Sequence, residues 1–291
     1  FRSQAGKEDR IIMITSENNA KIKELIKLQK NARHRRKEEP FVAEGIKLVQ
    51  EAAQYGKLRQ VLIRESLWHE RWKDAPESEI AKELSVDGNR VGVDIAPDSV
   101  FDMVADTVTP QGILGMVDMP AYSLKEILAL SSGLYLMLDD LRDPGNLGTV
   151  IRTAEAAGAA GVIMSRGCVD LFNPKVVRAT MGAIFRVPFL YVESLPETIE
   201  QMKKKNISVY GTILEESQPY DEPDYTKPSG IVIGNEANGI SAPVRESLTG
   251  RIHIPMQGSV ESLNAAVAAA VVMYEASRQR RKRDTGLLKF H

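Results

Sequence analysis

Leu134-Tyr135-Leu136-Met137-Leu138-Asp139-Asp140-Leu141-Arg142-Asp143-Pro144-Gly145-Asn146-Leu147-Gly148-Thr149-Val150-Ile151-Arg152 is the stretch on which the fold turns. Its first five residues are apolar without alternation, the pattern of a strand covered on both faces in a parallel sheet. A Pro-Gly-Asn turn then leads into a helical pattern. The same texture recurs at Gly161–Met164, Ile207–Ile213, Gly230–Ile233 and Arg251–Pro255. Helical patterns separate these runs at Gly148–Ala157, Lys175–Gly182, Glu197–Lys204 and from Ser262 to about Arg283. The alternation predicts an α/β domain over residues 133–285, with a mostly parallel sheet and helices on both faces. In such a sheet a ligand sits at the carboxyl ends of the strands.

Outward from this block the texture changes. Residues 121–132 are polar with one short amphipathic turn and read as a linker. Ahead of it, residues 13–120 mix short strands (Gln60–Arg64, Val91–Ile95, Ile113–Val117) with helices from Ser16 and around Gly45–Tyr55, which predicts a smaller α/β domain. Residues 1–12, ahead of Met13, lack the apolar core of a signal peptide and are set aside as an extension. The 291 residues suit two domains. The single Cys168 excludes a disulfide framework, fits a cytoplasmic protein and reads as inert packing. No apolar run approaches the length of a membrane span.

The 38 Lys and Arg against 39 Asp and Glu argue at first against a nucleic-acid partner. The mean hides segregation. Acidic residues collect at Glu65–Glu83 and Glu215–Asp224, while Arg33-His34-Arg35-Arg36-Lys37 and Arg278–Arg283 are basic. Arg33, Arg35, Arg36 and Lys37 are candidate phosphate contacts, with a solvated face as the plain alternative. The four histidines have no metal-ligand spacing, so no metal is expected.

Three segments follow predicted strands and carry the chemistry. In the first, Asn146 and Arg152 lie six apart on one helix, separated by roughly 120° and about 9 Å of rise, so both can border one cleft. Their plain reading is a cap and a solvated face. The segment is not a Gly-x-Gly-x-x-Gly fingerprint, which disfavours a nucleotide-dependent oxidoreductase. In the second, Gly234-Asn235-Glu236-Ala237-Asn238-Gly239, the glycine lets a ligand approach the backbone, and a carboxylate follows. The plain reading is an Asn-Gly turn with an exposed acid. In the third, Ile254-Pro255-Met256 runs through Gly258 to Ser262-Leu263-Asn264, where Ser262 or Asn264 opens an Ala-rich helix suited to close packing.

Together and in this order, Asn146-x-Gly148-x-x-x-Arg152, Gly234-Asn235-Glu236-x-x-Gly239 and Ile254-Pro255-Met256 to Asn264 resemble the SpoU (TrmH-type) family of RNA 2′-O-ribose methyltransferases. The resemblance covers residues 130–283, supported by Phe172-Asn173-Pro174-Lys175 and Ala179-Thr180-Met181-Gly182-Ala183. Phe41-Val42-Ala43-Glu44-Gly45 is similar to the RNA-substrate-binding domain often fused to this family, with a fold like ribosomal protein L30e. The resemblance implies a deep trefoil knot (the SPOUT type), an S-adenosylmethionine pocket, a homodimer through the methyltransferase domain, and RNA as substrate, 23S rRNA ahead of tRNA. By position it implies that Gly234, Ile254, Leu263, Thr212 and Met256 serve the cofactor. Asn146, Arg152, Glu236, Ser262 and Asn264 then match the catalytic and substrate positions. Arg152 would act on the 2′-hydroxyl, and Glu236 would hold Arg152 or Asn146. A non-catalytic RNA assembly factor with the same fold is the competing expectation.

Overall fold

A computed structural model describes residues 12–35, 40–55, 57–73, 75, 82–84, 91–129 and 133–287, with side chains described to 283. The chain divides into two compact units: residues 1–120 together with 172–185, and residues 121–171 together with 186–291.

The first unit is built on β1 (Ile12–Met13), β2 (Pro40–Glu44), β3 (Leu58–Arg64), β4 (Gly92–Ala96) and β5 (Ile113–Asp118), in the order β1-β4-β3-β5-β2. The β1/β4 and β4/β3 pairs are parallel, and the β3/β5 and β5/β2 pairs antiparallel. Ile12 pairs with Asp94, so the last residue of the segment set aside as an extension belongs to the sheet, while residues 1–11 lie outside the described residues. Asn19 caps the helix Ala20–Lys30 by accepting from the Lys21 N–H at 2.9 Å. The helix turns Ile22, Leu25 and Leu28 onto a core with Leu62, Phe101 and Leu114. Two elements were illegible in sequence. Strand β2 is short and follows the basic run, and the helix Asp98–Val104 has too few turns to show a period.

Residues 172–185 depart from the expected contiguous division. Phe172 and Phe185 flank the fully buried Phe41 with ring centroids 4.9 and 6.1 Å away. Arg178 lies 2.8 Å from Asp106 and 3.7 Å from the buried Glu44. Aromatic burial and neutralisation of an interior carboxylate draw this segment into the first unit.

The second unit holds β6 (Leu134–Leu138), β7 (Gly161–Ser165), β8 (Phe189–Val192), β9 (Ser208–Thr212), β10 (Gln218–Pro219), β11 (Ser229–Ile233) and β12 (Gly250–His253), in the order β10-β12-β9-β11-β6-β7-β8. Every neighbouring pair is parallel, beyond the mostly parallel sheet expected. All five residues of β6 and of β11 are buried, which for alternating side chains means that both sheet faces are covered. The expected linker is partly structure. Ser123 and Glu126 form a reciprocal capping box on Leu124–Ile127, and Ile127 and Leu128 join the core around Tyr135 and Met137.

Strand β11 lies between β9 and β6, pairing Ile231 with both Tyr210 and Leu136. The strand order therefore reverses beside β6, and the loops after β6, β9, β11 and β12 collect at one edge of the sheet. The helix Pro144–Ala156, which follows β6, packs against the long helix Ala265–Leu287.

Candidate active site

The Asp-Pro-Gly-Asn turn sets the first residue. Asp143 caps the helix Pro144–Ala156, its Oδ1 accepting from the Asn146 N–H at 2.7 Å, with Pro144 in the first turn where its missing N–H costs nothing. Asn146 is thereby fixed in the first helical turn, its side chain turned to two partners. Its Nδ2 donates to Glu236 Oε1 at 2.9 Å, and its Oδ1 accepts from Asn264 Nδ2 at 2.9 Å.

Glu236 reaches this position because its turn is stitched shut. Asn235 and Gly239 exchange both backbone bonds at 3.0 and 2.9 Å. Asn235 Oδ1 accepts from the Ala237 and Asn238 N–H groups, and its Nδ2 donates to the Asp140 carbonyl at 2.8 Å. Gly239 takes φ +65°, and a Cβ on Gly234 would land on the Gly239–Ile240 backbone. Gly234 is therefore demanded by the chain's own packing. Between the two expected partners of Glu236, the geometry selects Asn146.

Asn264, rather than Ser262, caps the long helix: its Oδ1 accepts from Ala266 N at 2.9 Å and Val267 N at 3.3 Å. One amide thus caps a helix and grips Asn146. Ser262 is exposed. Among the described residues, no hydrogen bond is made by 254–263, so this loop presents its backbone N–H and C=O groups unpaired.

The loops after β9, β11 and β12 enclose a cavity of about 570 Å³. Thr212, Gly234, Ile254, Met256 and Leu263 all line it, as do Glu236, Ser262 and Asn264. Asn146 stands outside the lining, bonded to two residues in it. Arg152, on the same helix, is exposed, and among the described residues nothing pairs with it.

Sequence reading missed two residues that hold the turn. The Asp139 carboxylate, 7% exposed, accepts from Ser241 N at 2.8 Å, and Arg245 donates from Nε to the Ile240 carbonyl at 2.7 Å while lining the cavity. The paired aspartates after β6 were the available signal for the first. Arg245 carries none, since the group it holds in the turn is a backbone carbonyl and its other partner, Glu215 at 3.9 Å, lies thirty residues away in the chain.

The basic runs need correction. Arg35 is 3% exposed and donates from Nη1 to the Leu28 and Gln29 carbonyls at 2.7 and 2.9 Å. It closes the C-terminal end of the first helix instead of facing a ligand. Arg33 is exposed, and Arg36 and Lys37 lie outside the described residues. In the second run Arg278 grips Glu275 at 2.6 Å, Arg280 donates to the Gly133 and Lys227 carbonyls, and Arg283 donates to the Thr226 carbonyl. Much of that run is spent within the chain. Among the described residues no helix is long and apolar enough to cross a membrane, and no three acidic, His or Cys side chains gather to hold a metal.

Residues 133–274 match the SpoU rRNA Methylase family, and residues 19–115 match the MRM3-like substrate binding domain. The 23S rRNA (guanosine(2553)-2′-O)-methyltransferase RlmP of Bacillus subtilis is 34% identical over 90% of this chain and 97% of its own. The 23S rRNA (uridine(2479)-2′-O)-methyltransferase of Streptomyces viridochromogenes is 30% identical over 96% of each chain. Among solved structures, the AdoMet-bound rRNA methyltransferase of Sinorhizobium meliloti superposes with a TM-score of 0.78 at 29% identity, covering 92% of this chain and 98% of that one.

Proposed function

The chain belongs to the SpoU rRNA methylase family, and from that premise we propose that it methylates a ribose 2′-oxygen of RNA, 23S rRNA in the first instance, with S-adenosylmethionine as donor. The observation that carries this reading is the Asn264–Asn146–Glu236 hydrogen-bonded chain at the rim of a cavity walled by three strand-end loops.

The residues fit the donor. The cavity lies within the range of small-molecule sites, roughly 300–1,000 Å³, and residues 254–263 offer it unpaired backbone groups. Thr212, Gly234, Ile254, Met256 and Leu263 would hold it. When bound, S-adenosylmethionine supplies a methyl group already activated by the sulfonium charge. What remains for the protein is to place a ribose hydroxyl and manage its proton. Asn146 has one amide hydrogen and one lone pair beyond those spent on Glu236 and Asn264, enough to orient a ribose. Arg152 is permanently charged and is therefore no base. Its role is to stabilise negative charge developing on the 2′-oxygen and to touch an adjacent phosphate. Ser262 shapes the substrate side of the loop.

The family's deep trefoil knot belongs to this proposal, formed where the chain returns through the loops around β9, β11 and β12, an exception to the rule against threaded loops. The L30e-like reading of the first unit belongs to it too, with RNA meeting that unit near the exposed Arg33. A homodimer through the second unit is supported by Val267 and Tyr274, 48% and 47% exposed on the long helix. A cytoplasmic setting accords with the lone buried Cys168.

Incubation with methyl-labelled S-adenosylmethionine and transcripts of 23S rRNA or tRNA, followed by mapping of 2′-O-methyl positions, tests the reading. Label at one rRNA ribose is expected. Label on tRNA alone changes the substrate, and rRNA binding without transfer makes the protein an assembly factor.

A further inference from the structure

Arg142 is an exposed charged residue in the loop that leads to Asn146, and an ion pair holds it in place. Its side chain is 72% exposed, yet Nε and Nη2 bond both carboxylate oxygens of Asp140 at 3.1 and 2.9 Å. Solvated arginines generally gain little from such a pair and pay side-chain entropy to keep it. This one is anchored because Asp140 is itself tied to neighbouring loops. Asp140 occupies the left-handed region at φ 57°, a conformation uncommon outside glycine that non-glycine residues keep only where the surroundings enforce it. Three loops do so. The Asp140 N–H donates to Ser165 Oγ at 2.9 Å, its carbonyl accepts from Asn235 Nδ2 at 2.8 Å, and its carboxylate fills the space that a Cβ on Gly167 would need.

Backbone strain at a site edge, fixing an exposed guanidinium four residues before Asn146, calls for a ligand. The Asp140 pair uses one edge of the guanidinium and leaves Nη1 and the second N–H of Nη2 without a partner among the described residues. A planar fork with a free edge suits a phosphate oxygen pair. Because Asn235 ties Asp140 to the Glu236 turn, Arg142 is in register with the same residues that hold Asn146. We infer that Arg142 binds a backbone phosphate of the substrate RNA next to the ribose at Asn146, with Asp140 as its positioning residue. This rests on the proposed 2′-O-methylation of RNA and assigns the site a strand-registering contact.

The test separates binding from chemistry. Affinity for a 23S rRNA transcript is measured over a salt series, alongside S-adenosylmethionine affinity and methylation kinetics. Arg142→Ala should weaken RNA binding on the order of tenfold and lower the slope of log K against log salt by about 0.7–0.9 for one lost phosphate contact. Its S-adenosylmethionine affinity should stay unchanged. Unchanged RNA affinity and slope would overturn the assignment, even if the wild type methylates rRNA. A wild type that binds RNA with this slope change but transfers no methyl defeats the proposed function instead. Asp140→Asn tolerates the left-handed backbone and removes a negative charge. If Asp140 merely repelled RNA, this variant would bind more tightly and the positioning role would be wrong. The inference requires weaker binding, raised KM and a little-changed kcat.

Discussion

Asn264 Nδ2 donates to Asn146 Oδ1 at 2.9 Å, joining the starts of two helices that lie 118 residues apart in the chain. Asn264 can do this only because its Oδ1 is already committed to Ala266 and Val267 as the cap of the long helix, which fixes the amide's orientation. Glu236 completes the arrangement from a third loop.

Replacing Asn146 with Asp keeps the shape but sets a second acid against Glu236 and removes the donor between them. Turnover on rRNA should fall on the order of 10²-fold, as expected when a reacting group is misplaced by about an ångström. Cofactor affinity should change by less than about twofold, since Asn146 stands outside the cavity lining. Comparing Asn146→Asp, Glu236→Gln and the double variant reads the coupling. Strictly additive losses would mean that the two residues act independently.

Arg152→Ala should reduce methyl transfer on the order of 10³-fold while calorimetric S-adenosylmethionine binding stays as in the wild type. The melting temperature should hold, because the side chain is exposed with no partner among the described residues. Surviving turnover would move the role of 2′-oxygen stabilisation elsewhere.

At Gly234 the prediction is structural first. Gly234→Ala forces a methyl into the Gly239–Ile240 backbone, at a cost of about 1–3 kcal/mol. Thermal unfolding should begin at lower temperature, and cofactor binding should weaken because Glu236 and the cavity wall shift together. A variant with full cofactor affinity would show that the turn is free to relax.

Arg33 and Arg35 should behave oppositely. Arg35→Ala strips donors from two carbonyls in a buried setting and should cost on the order of 2 kcal/mol of stability. Arg33→Ala should leave the melting temperature alone and reduce RNA affinity. Equal effects on both readouts would remove the distinction drawn between the two side chains.

Cys168 gives a pH prediction. Burial pushes its thiol above the ordinary range, while its Sγ donates to the Leu138 carbonyl at 3.3 Å. A raised pKa means less thiolate at any given pH, and thiolate is the reactive form. Alkylation at pH 8 should therefore be slower than for a free cysteine and accelerate on adding denaturant. Fast labelling of the folded protein would contradict the buried position.

Local signals placed most of the second unit. Continuous apolar runs marked β6, β7 and β11 to within a residue or two, because burial on both faces leaves few polar positions along a strand, while β9 and β12 were found within two residues although their outer positions, Arg251 and His253 among them, are only half-buried. Strand β8 escaped, since Phe189–Val192 is only partly buried and follows a turn rather than a long helix. The cavity residues were legible as motifs at strand ends, where glycine, Asn and Glu are conspicuous against apolar neighbours. Arg35 was misread because a charge in a basic run gives no sign that backbone carbonyls await it.

What the sequence determined by itself was element type, the parallel character of the second sheet and the residue chemistry of three loops, all consequences of periodicity and turn preference within about fifteen residues. Tertiary structure alone decided the partners. It set β11 between β9 and β6, took residues 172–185 into the first unit, chose Asn146 over Arg152 for Glu236, and made Asn264 rather than Ser262 the cap. Those outcomes depend on which groups meet after the chain has closed loops of some ninety to a hundred and twenty residues, as in the Asn146–Glu236 and Asn146–Asn264 pairs. Contact at such separations is set by the summed burial and hydrogen bonding of the whole unit, which no local pattern encodes.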